Sequence, residues 1–189
     1  MNRTKRKIFE TSMDLFAKKG YDSTSIEEIT SVVGIAKGTL YYHFSSKGEI
    51  LDFLIVEGLK LLEHSLEIKT RNLETIKEKI DAILLVELKV VDKYENLISL
   101  IMKEICGNDD RNKKCRESVY SCVDVIEKII KESIVKGEIK QCNTREIAFE
   151  IFGIICSGIL IRYENNGSID INKMANQYSQ AILKGIEII

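Results

Sequence analysis

Proline and tryptophan are both absent from this chain of 189 residues. Average usage of about 5% would supply roughly nine prolines. Because proline breaks the interior of a helix, its complete absence favours long helices joined by short turns. Apolar residues recur mostly at spacings of three and four rather than two. This period predicts an all-α fold.

Several residue types that carry chemistry are scarce. The two histidines, His43 and His64, form no metal-binding pair, and the five cysteines include no Cys-x-x-Cys motif. No phosphate-binding glycine loop or nucleophile elbow occurs. We therefore expect no enzymatic activity, no cofactor and no metal. Cys115 and Cys122 are seven residues apart on one predicted helix face, which leaves metal or redox sensing open beside inert thiols.

Long apolar runs are also lacking. The longest, residues 151–161, is interrupted by glycines and a serine, and a bilayer-spanning helix needs about 20 residues. No secretory signal opens the chain, and an odd number of cysteines fits a reducing compartment. The sequence therefore predicts a cytoplasmic protein with no membrane partner.

Charge is distributed unevenly, although the net charge is only −1. Residues 1–48 contain 8 Lys and Arg against 5 Asp and Glu, whereas residues 49–189 contain 20 against 24. Arg3, Lys5, Arg6 and Lys7 lie in the first seven residues, which contain no acid. A basic end of this kind favours contact with a polyanion, and a solvated terminus is the alternative.

Three short helices are predicted before residue 48. The first covers about Arg3–Lys19, the second follows a capping box at Thr24 or Ser25, and the third covers about Lys37–Phe44. Gly34 ends the second helix, and the tight turn after it gives a helix-turn-helix pattern. Longer helices are predicted from Ser46 to about 68 and over 72–91, 94–106, 111–136, 144–165 and 170–188. We expect a DNA-binding domain over 1–48 and an effector-binding and dimerisation domain over 49–189.

The third predicted helix lies in the stretch GIAKGTLYYHFSSKGEIL, residues 34–51, and has two distinct faces. At about 100° per residue, Leu40 and Phe44 share the inner face, whereas Gly38 and Tyr42 fall almost opposite. Lys37, His43 and Lys47 add hydrogen-bond donors around that outer face. The arrangement suits a recognition helix in the major groove with phosphate contacts around it. A short surface helix whose aromatic rings pack on a neighbour is the alternative.

These residues belong to a larger and more specific set, which covers about a quarter of the chain. It comprises Ile8, Leu15, Phe16, Gly20-Tyr21, Thr24-Ser25-Ile26, Ile29, the run from Gly34 to Phe44, and Lys47. With this set, residues 3–51 resemble the N-terminal domain of the TetR/AcrR family of transcriptional repressors. The chain departs from the family pattern at Ala36, where Ser or Thr is common, and at Gly48, where Glu is common.

The resemblance implies an all-helical homodimer that binds a pseudo-palindromic double-stranded DNA operator and is released by a small-molecule effector. It implies base contacts from the positions of Lys37, Gly38, Thr39 and Tyr41. It also implies phosphate contacts from Thr24, Tyr42, His43 and Lys47. Whether the protein represses or activates transcription stays open, because the sequence indicates the DNA contact and not its consequence.

The segment 147–161 is apolar nearly all round, so both of its faces must be covered. We expect one face to pack in its own domain and the other to meet a second copy of the chain, as in a four-helix bundle. A central helix of a monomer is the alternative. The predicted dimer residues are Phe152, Gly153, Cys156, Ser157, Leu160, Tyr178 and Ile182.

An effector site is predicted near the middle of the long helices. Its candidate residues are His64, Tyr94, Met102, Tyr120 and Cys122, each of which could equally be an ordinary core or surface residue. Because these candidates include no cluster of acids or bases, an apolar or amphipathic effector is favoured over a highly charged one. Two other function classes fit a helical chain: an enzyme, and an interaction module with a vestigial DNA-binding domain.

Overall fold

The computed structural model describes residues 2–186, and no β-strand occurs in that range, so the all-α prediction is confirmed. The helices are α1 (Arg3–Lys19), α2 (Ile26–Val33), α3 (Lys37–His43), α4 (Lys47–Thr70), α5 (Ile76–Ile105), α6 (Asp110–Val135), α7 (Thr144–Phe152), α8 (Ile154–Glu164) and α9 (Ile171–Ile186). They form two compact units. Unit 1 contains the residues up to Gly58 together with Lys93–Arg116, and unit 2 contains Leu59–Asp92 together with the residues from Glu117 onward.

Two helix boundaries differ from the predicted ones. The predicted helices 72–91 and 94–106 correspond to the two segments of α5, which is kinked at Tyr94, where the backbone leaves helical geometry (φ −126°, ψ 33°). The predicted helix 144–165 is divided at Gly153 into α7 and α8. The Gly153 N–H still donates to the Phe149 carbonyl at 2.8 Å, so the chain bends there without losing that hydrogen bond. Of the predicted helix 170–188, residues 187 and 188 lie outside the described residues.

The core of unit 1 joins α1, α2, α3 and the first half of α4. Fully buried side chains include Ile8, Phe16, Ile29 and Leu40. Aromatic rings extend this core, since the Phe53 ring on α4 lies 5.8 Å from Phe9 and 5.2 Å from Phe44 between centroids. Burial of this apolar surface is what holds the three short helices in one arrangement.

The core of unit 2 is an apolar interior between α4, α5, α6 and α8. Fully buried side chains include Leu66 on α4, Ile83, Leu84 and Leu88 on α5, and Val123, Ile126 and Ile130 on α6. Gly158 of α8 comes close to α5, because a Cβ there would be 3.2 Å from the Leu88 side chain. The small residue therefore allows α8 to pack tightly against α5.

Gly107, in the loop between α5 and α6, leaves no room for a side chain. A Cβ there would lie within 3.0 Å of the side chain of Asn112. Asn112 is buried and cannot move freely, since its Oδ1 accepts from Asp109 N–H at 3.0 Å and its Nδ2 donates to Glu104 at 2.9 Å. The loop therefore requires glycine.

We expect Gly107→Ala to lower the free energy of unfolding by about 1–3 kcal/mol, because the added methyl overpacks the site and disrupts the hydrogen bonds of Asn112. Chemical denaturation followed by circular dichroism measures this loss. Gly58→Ala on α4 is the control, since its Cβ would meet only the end of Met13 at 3.8 Å. An equal effect of both variants would show that the contact with Asn112 is not the cause.

Candidate nucleic-acid interface

A tight turn between α2 and α3 sets the geometry of the predicted DNA-reading region. The Ser25 hydroxyl caps α2 by accepting from Glu28 N–H at 3.1 Å. Gly34 ends α2 in the left-handed region (φ 75°, ψ 42°), which glycine adopts without strain. Both Gly34 and Ile35 donate their N–H to the Thr30 carbonyl, at 3.0 and 3.1 Å. The chain therefore turns sharply and enters α3 at Lys37.

The inner face of α3 packs into the core of unit 1. Leu40 and Phe44 are both buried. The ring of Phe44 meets that of Phe53, and the Lys5 ammonium of α1 lies 5.1 Å from the Phe44 centroid. These contacts fix how far α3 is rotated about its own axis.

The outer face of α3 is open, as the helix period indicates. Tyr42 is 85% exposed, and Gly38, Thr39 and Tyr41 are exposed as well. A Cβ built on Gly38 would meet nothing within 4 Å. The structure thus brings these four predicted contact residues onto one accessible helix face. His43 is half-buried, and its ring packs edge-on against that of Tyr42, with the centroids 5.1 Å apart.

The two predicted lysines beside α3 both have partners within the chain. Lys37 forms an exposed ion pair with Glu27 of α2, and Glu27 raises the pKa of Lys37 by accepting its hydrogen bond. Lys47 donates from its ammonium to the carbonyls of Tyr21 (2.7 Å) and Thr24 (2.9 Å). That ammonium also lies 4.2 Å from the centre of the Tyr21 ring. Lys47 therefore ties the first turn of α4 to the loop before α2.

Thr24 also forms hydrogen bonds within unit 1. It is 1% exposed, its hydroxyl donates to the Gly20 carbonyl at 2.9 Å, and its N–H donates to Tyr21 O at 3.2 Å. These bonds shape the loop between α1 and α2. The phosphate contacts expected of Thr24 and Lys47 stay predictions, and each requires these internal hydrogen bonds to be exchanged or shared.

The predicted effector residues lie in different surroundings. In unit 1, Tyr94 sits at the irregular position of α5 and Met102 is half-buried. In unit 2, His64 is exposed, and Tyr120 packs edge-on against Phe149 with ring centroids 6.0 Å apart. Cys122 is buried, and its thiol donates to the Leu59 carbonyl at 3.4 Å. Of the five, Cys122 alone is fully enclosed.

The buried cysteines are poorly suited to redox or metal chemistry. Burial raises the pKa of Cys115 to about 11 and that of Cys122 to about 12. Both thiols are therefore protonated at neutral pH, whereas the reactive and metal-binding form is the thiolate. Within residues 2–186, no group of three or more His, Cys, Asp or Glu side chains could hold a metal ion. Nor is any helix in that range long and apolar enough to cross a membrane.

The predicted dimer residues share one partly exposed surface of unit 2. Leu160 on α8 is 69% exposed, and Phe149 and Tyr163 on the same side are exposed too. The opposite side of α7 and α8 is buried, including Ile151, Ile155 and Ile159. The hydroxyls of Ser157 and Tyr178 form a hydrogen bond that joins α8 to α9. The remaining predicted residues, Phe152, Gly153, Cys156 and Ile182, are half-buried.

The structural surroundings of two acidic residues, Glu27 and Glu87, were not predicted from the sequence. Glu27 pairs with Lys37 across the turn, a contact ten residues apart that no helix period could indicate. Glu87 is fully buried in unit 2, and neither carboxyl oxygen has a hydrogen-bond partner. A signal for Glu87 was present, because it is the lone acid in the apolar run Ile-Leu-Leu-Val-Glu-Leu of residues 83–88.

Known proteins that resemble this chain include regulators with the same N-terminal helix-turn-helix. Residues 8–53 match the family model described as bacterial regulatory proteins of the tetR family. The whole chain is similar to a solved structure from Clostridium perfringens described as a candidate fatty acid metabolism regulator. The two are 31% identical over 97% of this chain and 100% of that chain, with a TM-score of 0.78. The chain belongs to the TetR family of bacterial regulatory proteins.

Two further similarities extend over the full length of this TetR-family chain. The transcriptional regulator QacR of Staphylococcus aureus is 29% identical, over 96% of this chain and 97% of that protein. The regulator FadR of Bacillus subtilis, solved in complex with stearoyl-CoA, has the same fold with a TM-score of 0.81. It is 24% identical over 96% of this chain and 99% of that one. These relatives are transcriptional regulators rather than enzymes, and this TetR-family protein is a DNA-binding transcriptional regulator.

The two faces of α3 predict opposite effects of substitution. Phe44→Ala should lower the free energy of unfolding by about 3–5 kcal/mol, because it leaves a cavity in the core. Tyr42→Phe removes one exposed hydroxyl and should leave the melting temperature unchanged while weakening DNA binding. Thermal melts and binding titrations of both variants test this pair. An early melt for Tyr42→Phe with a normal melt for Phe44→Ala would mean that the two faces are reversed.

Proposed function

We propose that the protein is a homodimeric repressor that binds a pseudo-palindromic operator through α3 and is released by a hydrocarbon-rich amphipathic effector. The observation that carries the proposal is the accessible face of Gly38, Thr39, Tyr41 and Tyr42 on a helix whose other face is locked into the core. Because the partner is chromosomal DNA, we place the protein in the bacterial cytoplasm. We propose that residues 1–48 bind DNA and residues 49–189 bind effector and partner.

The proposed DNA contacts divide by chemistry. Thr39 and Tyr41 lie beside Gly38, whose missing side chain lets the helix backbone approach the base edges in the major groove. Tyr42 and His43 lie at the end of α3, where a hydroxyl and a ring N–H can donate to phosphates. We assign base recognition to Lys37, Gly38, Thr39 and Tyr41, and backbone contacts to Tyr42, His43, Thr24 and Lys47.

Lys37 must exchange its partner when DNA binds. Its ion pair with Glu27 is exposed, and exposed ion pairs contribute little to stability because water and salt screen them. A phosphate or a guanine edge can therefore compete for the ammonium at little cost. The Glu27 carboxylate also repels nearby phosphates. Binding is therefore favoured only where the DNA places a hydrogen-bond acceptor within reach of the Lys37 ammonium.

The dimer proposal rests on the exposed apolar side chains of α7 and α8. Phe149, Leu160 and Tyr163 recur at helical spacing, and α9 lies beside them through the Ser157–Tyr178 hydrogen bond. Apolar patches of this kind on a helix pair mark interaction surfaces. We propose that a second copy of the chain covers them, because a two-fold dimer places two recognition helices on adjacent half-sites of one DNA face.

The effector proposal rests on the apolar interior of unit 2 and on the relatives. The Clostridium perfringens relative is described as a candidate regulator of fatty acid metabolism, and Bacillus subtilis FadR was solved with stearoyl-CoA. Both descriptions support a ligand with a long hydrocarbon part. The buried side chains of α5 and α6 offer matching apolar surroundings.

Selection of bound fragments from random DNA, followed by titration over a range of salt concentrations, tests the DNA-binding proposal. If Arg3, Lys5, Lys37 and Lys47 of both subunits displace counterions from up to about eight phosphates, log K should fall with log salt at a slope of roughly −7. Arg3→Ala should flatten this slope by about 2, because it removes two contacts per dimer. Lys173→Ala, which removes an exposed charge of α9, should leave the slope unchanged. A salt-independent affinity would contradict the proposal.

Leu160→Glu tests the dimer surface. It should raise the dimer dissociation constant at least about 100-fold, because two like charges would be buried without partners. Sedimentation velocity across micromolar concentrations measures the change. Leu61→Glu is the control, since Leu61 is an equally apolar residue, 53% exposed, on α4 of the same unit. Dissociation by both variants alike, or a monomeric wild-type protein, would contradict the assigned surface.

A further inference from the structure

An open cavity of about 310 Å³ lies in unit 2 and is lined largely by charged side chains. Its walls come from the end of α4, the first turn of α5 and the second half of α6. None of the five predicted effector residues is among the described residues that line it. The volume falls at the lower end of the range of about 300–1,000 Å³ that small-molecule sites occupy. The cavity is therefore large enough to hold a small metabolite.

Lys79, in the first turn of α5, is the unusual member of this lining. It is only 7% exposed, although lysine is almost never fully buried unless it is paired. Among the described residues, its ammonium has neither a hydrogen-bond partner nor an ion pair, whereas Lys77 in the same turn pairs with an aspartate one turn further on. Val125 and Ile129 form an apolar wall of the cavity that can cover the methylene stem of Lys79. The positive charge is then left for a ligand in the cavity.

Two further cations line the same cavity. Arg71 directly follows α4 and Lys128 lies on α6, and both are exposed and form no ion pair with any described residue. Two acids, Glu67 and Glu132, line the cavity as well, and both are exposed. Because water and salt screen exposed charges more than buried ones, the buried ammonium contributes most to the potential inside the cavity. The lining therefore offers three cations from three segments of the chain and two acceptors near the solvent.

We propose that this cavity is a binding site for a small phosphorylated metabolite that also carries hydroxyl groups. A phosphate monoester has three terminal oxygens, which can accept hydrogen bonds from Lys79, Arg71 and Lys128. The carboxylates of Glu67 and Glu132 can accept from the hydroxyls of the same ligand. The site is additional to the DNA-binding face and to the hydrocarbon-rich effector of the proposed function.

Other ligand chemistries match this lining less well. A hydrocarbon would leave the buried ammonium of Lys79 without a partner, which is costly. A cation would be repelled by that ammonium, since charges interact strongly where little water screens them. A carboxylate brings one charge and two oxygens to three cations. A phosphate brings up to two charges and three oxygens, and is therefore favoured.

The experiment titrates the full-length protein with three probes that share a three-carbon skeleton: glycerol 3-phosphate, glycerate and glycerol. Isothermal titration calorimetry should give glycerol 3-phosphate at least about tenfold tighter binding than glycerate, with glycerol weakest.

Three variants locate the binding. Lys79→Met keeps an apolar stem, removes the charge and should weaken glycerol 3-phosphate at least about tenfold. Arg71→Gln, at an exposed position where substitution does not disturb the core, should weaken it at least about threefold. Lys89→Met is the matched control, because Lys89 is an exposed lysine of the same helix that does not line the cavity. It should leave the affinity within about twofold.

Several results would overturn the inference. Glycerate or glycerol binding as tightly as glycerol 3-phosphate would do so, as would no binding of any probe. An affinity that folded Lys79→Met leaves unchanged would mean that Lys79 only extends its stem along an apolar wall; if this variant does not fold, Arg71→Gln decides by the same criterion. An equal loss in Arg3→Ala would place the anion on the basic N-terminal end instead. Because these titrations contain no DNA, their failure leaves the proposed function standing, and failure to select a DNA site leaves this cavity site standing.

Discussion

The burial of Leu40 and Phe44 is the constraint on which the rest of unit 1 depends. Both side chains are buried, and the Phe44 ring contacts Phe53 of α4 and Lys5 of α1, so the core fixes the rotation of α3 about its axis. That rotation turns Gly38, Thr39, Tyr41 and Tyr42 outward together. A recognition surface on a helix of seven residues has little intrinsic stability, because isolated helices this short do not persist in water. The apolar core supplies that stability.

The lysines around α3 are held by contacts with other residues of the chain. Lys5 lies over the rings of Phe44 and Phe53, Lys47 caps loop carbonyls, and Lys37 pairs with Glu27. The first two contacts stiffen the frame that carries α3. The third is exposed and easily exchanged. Basic residues near the recognition helix thus differ in role, although the sequence presents them as one positive group.

A buried polar side chain of unit 1 and one of unit 2 differ in their hydrogen bonding. In the first turn of α6, Asn112 is buried but its side-chain amide is satisfied by Asp109 and Glu104. In unit 2, Glu87 is buried and its carboxyl is not satisfied. An unpaired buried carboxyl lowers stability relative to an apolar residue of similar volume. The contrast separates a buried polar side chain that is fully paired from a buried carboxyl that has no hydrogen-bond partner among the described residues.

The sequence by itself determined the helices, the turn at Gly34 and the two faces of α3, because these depend on local period and capping. Bounds were predicted to within a few residues for α1, α3 and α6, and the predicted interruption before residue 94 coincides with the kink of α5 at Tyr94, whereas the break at Gly153 was not predicted. Only the tertiary structure decided three other features. Lys37 pairs with Glu27, Lys47 and Thr24 form hydrogen bonds within the chain, and the buried carboxyl of Glu87 has no hydrogen-bond partner. Each depends on which side chains from distant parts of the chain meet, and helical period carries no information about that.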